Sequence, residues 1–294
     1  MRFTILTNEP NGWTAKEFKK AVKGKPILLN FVSVDSFNDR NIYQKKLGDV
    51  TLLKSTQLKH YAERASLLYS FDQKTYMINK RLSTHRLITS KLYQQTMIES
   101  APDIHGIESF YFHSKKEILQ SIQCKRLQYP FIIKKLAGSQ GIGVHLIRRK
   151  KELEQFGEKE ILSYVCQNFI QNSGDYRVLV LGGKVLAMMK RTANEHDFRN
   201  NISQGGTAEV ITDVHTRKKL EEIARRTTKL FQLDFCGVDI IFDEVSHTYR
   251  VLETNSIPNW EGIQTIIPFS IAGAVLDFAL SLHKKNMKKN KKTI

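Results

Sequence analysis

The chain has 294 residues, of which 41% are hydrophobic and 10% aromatic, so it can bury a sizeable core, which excludes disorder over most of its length. Its formal net charge of +17 indicates an anionic partner; nucleotide, acidic substrate, RNA and ribosome all fit. The apolar run at the N-terminus is too short for a signal peptide, and no stretch resembles a membrane-spanning helix, so we expect a cytoplasmic protein with no membrane partner.

The first part of the chain alternates between strand and helix patterns. "RFTILT" predicts a strand, the lysine-rich "TAKEFKKAVKG" a helix, and "PILLNFV" a second strand after Pro26. This alternation is typical of a parallel sheet, and we expect a small α/β domain over residues 1–78.

The remainder of the chain reads as hairpins covered by helices. Apolar residues at helical spacing predict a helix over 79–95, and Ser114 is a plausible N-cap for a second one. From about residue 130, hairpins are predicted about Gly182-Gly183 and within "DFCGVDIIFDEVSHTYRVLETN", with an amphipathic helix over 215–231 between them. The closing helix leads into a basic tail at 284–294, and the whole is of the α+β class.

A glycine-rich loop, "GSQGIG" at 138–143, joins two predicted strands. Dinucleotide-binding and P-loop glycine runs lead into a helix, so both are disfavoured here. A flexible hairpin and a loop that folds over phosphates remain about equally plausible on the loop alone. Lys134, at the end of the apolar run "PFII", favours the second reading because a buried lysine requires an anionic partner.

Three polar side chains fall at the end of the last predicted hairpin. Glu253 and Asn255 in "VLETN" point to one face of a strand, and Asp239 in "GVDIIF" can join them if the two strands pair. Oxygen ligands of this kind suit Mg²⁺ or Mn²⁺ that also binds substrate phosphates. The alternative is a strand with solvent-facing polar residues.

The order of these motifs resembles the ATP-grasp superfamily, and within it the RimK-type α-L-glutamate ligases. The resemblance is carried by "PFIIKKLAGSQGIGV", "DFRNN" with the following "GG", "CGVDII" and "VLETNSIPNWEGI", over roughly half of the chain. It implies an ATP-grasp domain over 79–283, in which two α+β subdomains (a lid over about 103–165 and a metal-binding part over about 166–283) grip ATP. The N-terminal α/β domain precedes this unit.

The resemblance also implies a reaction. ATP would phosphorylate a carboxylate, and an amine would displace phosphate from the acyl phosphate to form an amide or peptide bond. The cofactors would be ATP and two ions of Mg²⁺ or Mn²⁺. An amino acid such as glutamate would be joined to a carboxylate-bearing peptide, protein or small molecule, and self-association would be compatible with such a ligase.

The site residues implied by the resemblance fall into three sets. Lys134, Arg191 and Arg199 would be catalytic, with Arg177 as a nearby substrate or phosphate contact. Asp239, Glu253 and Asn255 would hold metal. Nucleotide would be bound by Lys80, Lys134, Ser139, Gln140, Gly141, Gln167, Asn168, Phe169, Ile170, Asp175, Arg199, Asn200 and Asn201.

The chain departs from the family pattern at Asn168, where a glutamate is usual, and at Ile257 and Asn259-Trp260 beside the expected substrate pocket. The first change predicts altered nucleotide contact, and the second leaves the substrate open. Two other functions are compatible with the sequence: a catalytically inactive relative that binds nucleic acid or a ribosome, and a kinase that shares every nucleotide contact.

Overall fold

A computed structural model describes residues 1–33, 47–54, 75–136, 138, 141–194, 198–200 and 205–290 of the chain. Three sheets organise this part of the molecule, one parallel and two antiparallel. No helix among these residues is long and apolar enough to cross a membrane.

The first sheet is parallel, as the sequence predicts, with the strand order β2-β1-β3-β4. Its strands are β1 (Arg2–Leu6), β2 (Leu28–Val32), β3 (Val50–Leu53) and β4 (Tyr76–Ile78). Helix α1 (Trp13–Ala21) buries Phe18 against this sheet, and the last helix, α8 (Ile271–Asn290), adds Val275 and Leu276 to the same core. The first sheet therefore shares its core with the end of the chain.

The second sheet is small and antiparallel, with the order β5-β8-β6-β7. Its strands are β5 (Ser109–Phe110), β6 (Phe131–Lys135), β7 (Val144–Ile147) and β8 (Tyr164–Asn168). The covering helices are α4 (Lys115–Gln123) and α5 (Lys150–Leu153). The predicted N-cap is present, since the Ser114 side chain accepts a hydrogen bond from the Glu117 N–H at 3.2 Å.

The third sheet is antiparallel with the order β11-β10-β9-β12-β13. Its strands are β9 (Asp175–Leu181), β10 (Lys184–Thr192), β11 (Thr207–Glu209), β12 (Phe235–Asp243) and β13 (Thr248–Asn255). Gly182 and Gly183 both have positive φ, 59° and 76°, as a tight hairpin turn requires, which confirms the predicted hairpin. Helix α6 (Val214–Phe231) covers one face, and α7 (Glu261–Gln264) follows β13.

The segment 79–95, predicted as one helix, is interrupted. It contains α2 (Arg81–Thr84), a 3₁₀ turn (Arg86–Thr89) and α3 (Lys91–Glu99). At one end Asn79 has φ of 64°, and its side chain binds the backbone of Phe235 and Ser256. At the other end the buried Gln94 side chain exchanges two hydrogen bonds with the Thr254 backbone, at 2.8 and 2.9 Å. The spacing of apolar residues does not reveal these tertiary hydrogen bonds, and they determine where α3 begins.

Candidate functional site

A cleft lies where the second and third sheets meet, and about 900 Å³ of empty space, partly open to solvent, separates its walls. The sequence-predicted residues that line it are Lys134, Gly141, Gln167, Asn168, Phe169, Ile170, Asp175, Arg191, Arg199, Asn200, Asp239 and Glu253.

The remaining predicted site residues either do not line the cleft or are not described by the structure. Arg177 and Asn255 touch the lining residue Asp239 without lining the cleft themselves. Lys80 is exposed and does not belong to the lining. Ser139, Gln140 and Asn201 lie outside the described residues.

Lys134 is buried in the wall of the cleft, as its position in an apolar strand predicts. Only 6% of the residue is exposed. Burial lowers the pKa of its ammonium group to about 8, and the nearby charge of Lys91 acts in the same direction, while Glu253 opposes both. A bound anion would stabilise the charged form of a lysine in this environment.

Lys91 lies beside Lys134 but is not among the site residues predicted from the sequence, which include Lys80 with the nucleotide-binding residues. Its ammonium group is 2.8 Å from the Glu253 carboxylate and donates to the Gly138 carbonyl at 3.1 Å. Lys91 is the first residue of α3, directly after Ser90 in extended conformation. Ser90 before an apolar helical pattern is a helix-start signal, and it could have placed Lys91 at a helix N-terminus near the site.

The glycine loop is a hairpin between β6 and β7, so it does not lead into a helix, as the sequence predicts. Gly141 and Gly143 have positive φ, 74° and 73°, and a Cβ at Gly143 would lie 2.8 Å from the Lys135 side chain. The Arg199 guanidinium donates to the Gly141 carbonyl at 3.2 Å. Arg199 therefore connects the loop to the segment after β10.

The departure at Asn168 has a structural explanation. Its side-chain oxygen accepts from the Gln128 N–H at 2.9 Å, and its amide nitrogen donates to the Arg126 carbonyl at 3.0 Å. Both ends of the amide are thus occupied by the backbone before β6. The side chain supports the wall of the cleft at this position.

The charged cluster at the centre of the third sheet follows from strand register. Asp239 on β12 pairs with Arg177 on β9 and with Glu253 on β13, while Arg191 on β10 pairs with Asp175 on β9. The predicted pairing of the last hairpin is confirmed. A β-bulge follows the Asp239–Glu253 pair, a feature that often re-aims side chains next to active sites.

Each arginine of the cluster is bound by carboxylates. Arg191 lies 2.6 Å from an Asp175 oxygen and 3.1 Å from an Asp239 oxygen, and Arg177 donates to Asp239 at 2.6 Å. Burial raises the pKa of Asp175, and the adjacent Arg191 only partly opposes this. Burial alone would lower the pKa of Arg191, but Asp239 and Asp175 outweigh it and raise that pKa. Arg177 and Arg191 therefore hold and neutralise the carboxylates.

Glu253 is held firmly in its charged form. Burial raises its pKa, but the charges of Lys91 and Lys134 prevail and lower it to about 2. Asn255 joins it to Asp239, because the amide nitrogen lies 3.2 Å from Glu253 and 3.3 Å from Asp239. Within the described part of the chain, no group of three or more His, Cys, Asp or Glu could hold a metal ion, so any cation here would rely on two carboxylates and this amide.

Sequence comparison identifies relatives of known name. A protein named probable alpha-L-glutamate ligase from Psychromonas ingrahamii is 41% identical over 168 residues, which are 54% of this chain and 51% of that protein. One of the same name from Vibrio atlanticus is 34% identical over 190 residues, 63% of this chain and 60% of that protein. The chain spans about half the length of most of the curated relatives it matches.

Solved structures with the same fold cover nearly the whole chain. The ATP-grasp ligase PsnB complexed with minimal precursor has a TM-score of 0.71 at 16% identity, covering 95% of this chain and 98% of that one. D-alanine–D-alanine ligase from Bacillus anthracis has a TM-score of 0.71 at 16% identity, covering 98% and 99%. At such identities the likeness shows the fold, and it confirms the α+β ATP-grasp prediction.

The family model described as the RimK-like ATP-grasp domain matches residues 80–279. This range contains Lys91, Lys134, the glycine hairpin and the Asp239–Glu253 pair, so the whole cleft lies within the match. The chain belongs to the RimK-like ATP-grasp family.

Proposed function

We propose that this protein is an ATP- and Mg²⁺-dependent carboxylate–amine ligase that adds an amino acid such as glutamate to a carboxylate-bearing acceptor. The observation that carries the proposal is the meeting of Lys91 and Lys134 with Asp239 and Glu253 in one cleft. Two lysines beside two carboxylates suit a phosphate chain and the cations that accompany it. The names of the relatives support glutamate as the amino acid.

ATP would lie between the second and third sheets. Lys91 and Lys134 would bind its phosphates, with the glycine hairpin over them. The segment 167–170 would hold adenine, and Asp175 would meet the ribose. Among the arginines, Arg199 would contact phosphate, because it lies at the glycine hairpin, whereas Arg191 is only 4% exposed between two carboxylates.

The residues of the β12–β13 hairpin fit Mg²⁺ or Mn²⁺. Asp239 and Glu253 are directly paired across the strands, and Asn255 can turn its amide oxygen toward the same point. A bound cation would neutralise phosphate oxygens and orient the γ-phosphate. Binding it would also release Lys91 from Glu253, so that Lys91 would then face the phosphates.

The chemistry would proceed in two transfers. An acceptor carboxylate oxygen would attack the γ-phosphorus, and the bond from that phosphorus to the ADP oxygen would break. The amine of the second substrate would then attack the acyl carbon, lose a proton and expel inorganic phosphate. The protein would contribute positioning and charge neutralisation by Lys91, Lys134 and Arg199.

The test is ADP release from ATP in the presence of Mg²⁺, with a panel of amino acids and acidic peptides and mass spectrometry of the products. The proposal predicts ADP release that depends on one amino acid and a product heavier by that residue. Glu253→Gln should abolish both, whereas Glu221→Gln, on the exposed face of α6, should leave them unchanged.

Two results would contradict the proposal. ADP release with a phosphorylated product and no amide would establish a kinase. Tight AMPPNP binding without turnover under any mixture, joined to binding of RNA, would favour a basic binding protein.

A further inference from the structure

The carboxyl ends of β1 and β3 form a second place of interest, outside the ATP cleft. In the parallel order β2-β1-β3-β4, the two strands that follow β1 along the chain, β2 and β3, lie on opposite sides of it. Ligands of open parallel sheets bind in the crevice at the carboxyl ends of strands where the strand order reverses in this way. Here Glu9 follows β1, and Lys54 is the residue directly after β3.

Lys54 is a partly buried cation at this crevice. Its ammonium group donates to the Pro258 carbonyl at 2.5 Å and stands 4.6 Å from the centre of the Trp260 ring. Burial lowers the pKa of Lys54 to about 8, and the charge of Arg177 acts in the same direction, while Glu9 opposes them. Within the described residues, no carboxylate lies within ion-pair distance of Lys54.

Glu9 does not supply the missing partner. Its carboxylate lies against Gly12, the N-cap of α1, where the helix N-terminus attracts negative charge. The residue is exposed, in contrast to the partly buried Lys54. Among the described residues, Lys54 therefore has no carboxylate at ion-pair distance, and it can bind another anion.

Arg177 brings a second cation to the same place. A Cβ at Gly237 would lie 3.0 Å from the Arg177 side chain and 3.5 Å from Pro258, the residue whose carbonyl binds Lys54. Gly237 thus lets the arginine stem pass next to Pro258. Arg177 and Arg191 balance the carboxylates of Asp175 and Asp239, so these two carboxylates leave no excess negative charge for Lys54.

We propose that Lys54, together with Arg177, binds a carboxylate of the acidic substrate, and that the first sheet thereby selects this substrate. Lysine and arginine hold carboxylates through charge-assisted hydrogen bonds, and the indole of Trp260 shields the site from water. The proposal rests on the ligase function, since it places the carboxylate next to Asp239 and the reacting phosphates. The chemistry fits either a free acidic amino acid or the acidic end of a peptide.

The experiment is isothermal titration calorimetry with protein saturated with AMPPNP and Mg²⁺. The probes are L-glutamate and the dipeptide Glu-Glu, with L-glutamine as the neutral analogue. The variants are Lys54→Met and Lys54→Arg, and Lys23→Met, at an exposed lysine, is the matched control. Circular dichroism and thermal unfolding verify that each variant folds.

Wild type should prefer one acidic probe over L-glutamine, and the probe that it prefers tells the free amino acid from the peptide end. Lys54→Met should weaken that binding about 10- to 100-fold, the size expected for a lost charged hydrogen bond. Lys54→Arg should keep the preference for acidic probes, and Lys23→Met should match wild type. AMPPNP affinity should be the same in all four proteins.

Equal affinity of Lys54→Met and wild type for the preferred probe would overturn the proposal. A wild-type protein that binds L-glutamine as tightly as both acidic probes would also overturn it. Either result with normal AMPPNP binding leaves the ligase function standing, whereas loss of AMPPNP binding by wild type refutes the ligase function itself.

Discussion

Replacing Lys91 by Met tests which lysine works with Lys134 on the phosphates. The change removes a cation 2.8 Å from Glu253 and keeps most of the side-chain volume. Lys80→Met is the matched control, because it removes an equal charge from the exposed position that the sequence favoured.

The expected size of the effect follows from the contacts. A hydrogen bond to a charged group contributes about 1.5–3 kcal/mol, which corresponds to about 10- to 150-fold in affinity. Lys91 is already paired with Glu253 at 2.8 Å, so contact with phosphate exchanges one ion pair for another. This exchange places the expected loss for Lys91→Met near the lower end, about 10-fold.

The assay is calorimetric titration of AMPPNP at fixed Mg²⁺ and pH 7. Lys91→Met should bind about 10-fold more weakly than wild type, and Lys80→Met within about threefold of it. The reverse order would refute the reasoning, because it would show that phosphate is bound by a lysine outside the described cleft lining.

Three further outcomes are expected. Asn79→Ala removes three hydrogen bonds made by a buried side chain and should lower the free energy of unfolding by about 2–4 kcal/mol in urea titrations, while Asn11→Ala stays near wild type. Because the pKa of Glu253 is lowered from 4.5 to about 2, its charged form contributes fully to the stability of the fold above pH 4.5, and this contribution is lost as the pH falls toward 2. Metal-free wild type should therefore lose stability over that range more steeply than Glu253→Gln. Since the pKa of Lys134 is lowered to about 8, AMPPNP binding at pH 8 should take up protons, measurable in buffers of different ionisation enthalpy, and Lys134→Met should take up fewer.

The third sheet illustrates what the sequence determines locally. The turn at Gly182-Gly183 and the short connection between β12 and β13 each fix a hairpin register, because few residues join the strands. The meeting of Asp239 with Glu253 follows from the second register. Burial of Lys134 likewise follows from the apolar run that precedes it.

The arginine pairs could not be predicted in the same way. Asp239 meets Arg177 because β12 lies beside β9, and these strands are separated in sequence by β10, β11 and α6. No local pattern specifies that neighbour. The sequence predicts a catalytic role for Arg191 and a substrate or phosphate contact for Arg177, and it gives no sign that both are bound to the carboxylates of Asp175 and Asp239.

The sequence also does not show that Lys91, and not Lys80, lines the cleft, and the reason is similar. Helical periodicity continues through 79–95, but the hydrogen bonds of Asn79 and Gln94 with distant backbone interrupt the helix before Ser90. Tertiary contacts of this kind override local propensity. Lys54 lies at the end of a short strand, and only the order of the parallel sheet makes its position noteworthy.

The most direct test of the central claim follows oxygen from the acceptor carboxylate to phosphate. The acceptor that supports turnover is labelled with ¹⁸O in its carboxylate and incubated with ATP, Mg²⁺ and the amino acid, and the inorganic phosphate is examined by ³¹P NMR. Ligation through an acyl phosphate predicts one ¹⁸O atom in each phosphate formed, together with ADP. Phosphate without ¹⁸O, or AMP and pyrophosphate in place of ADP and phosphate, would contradict it.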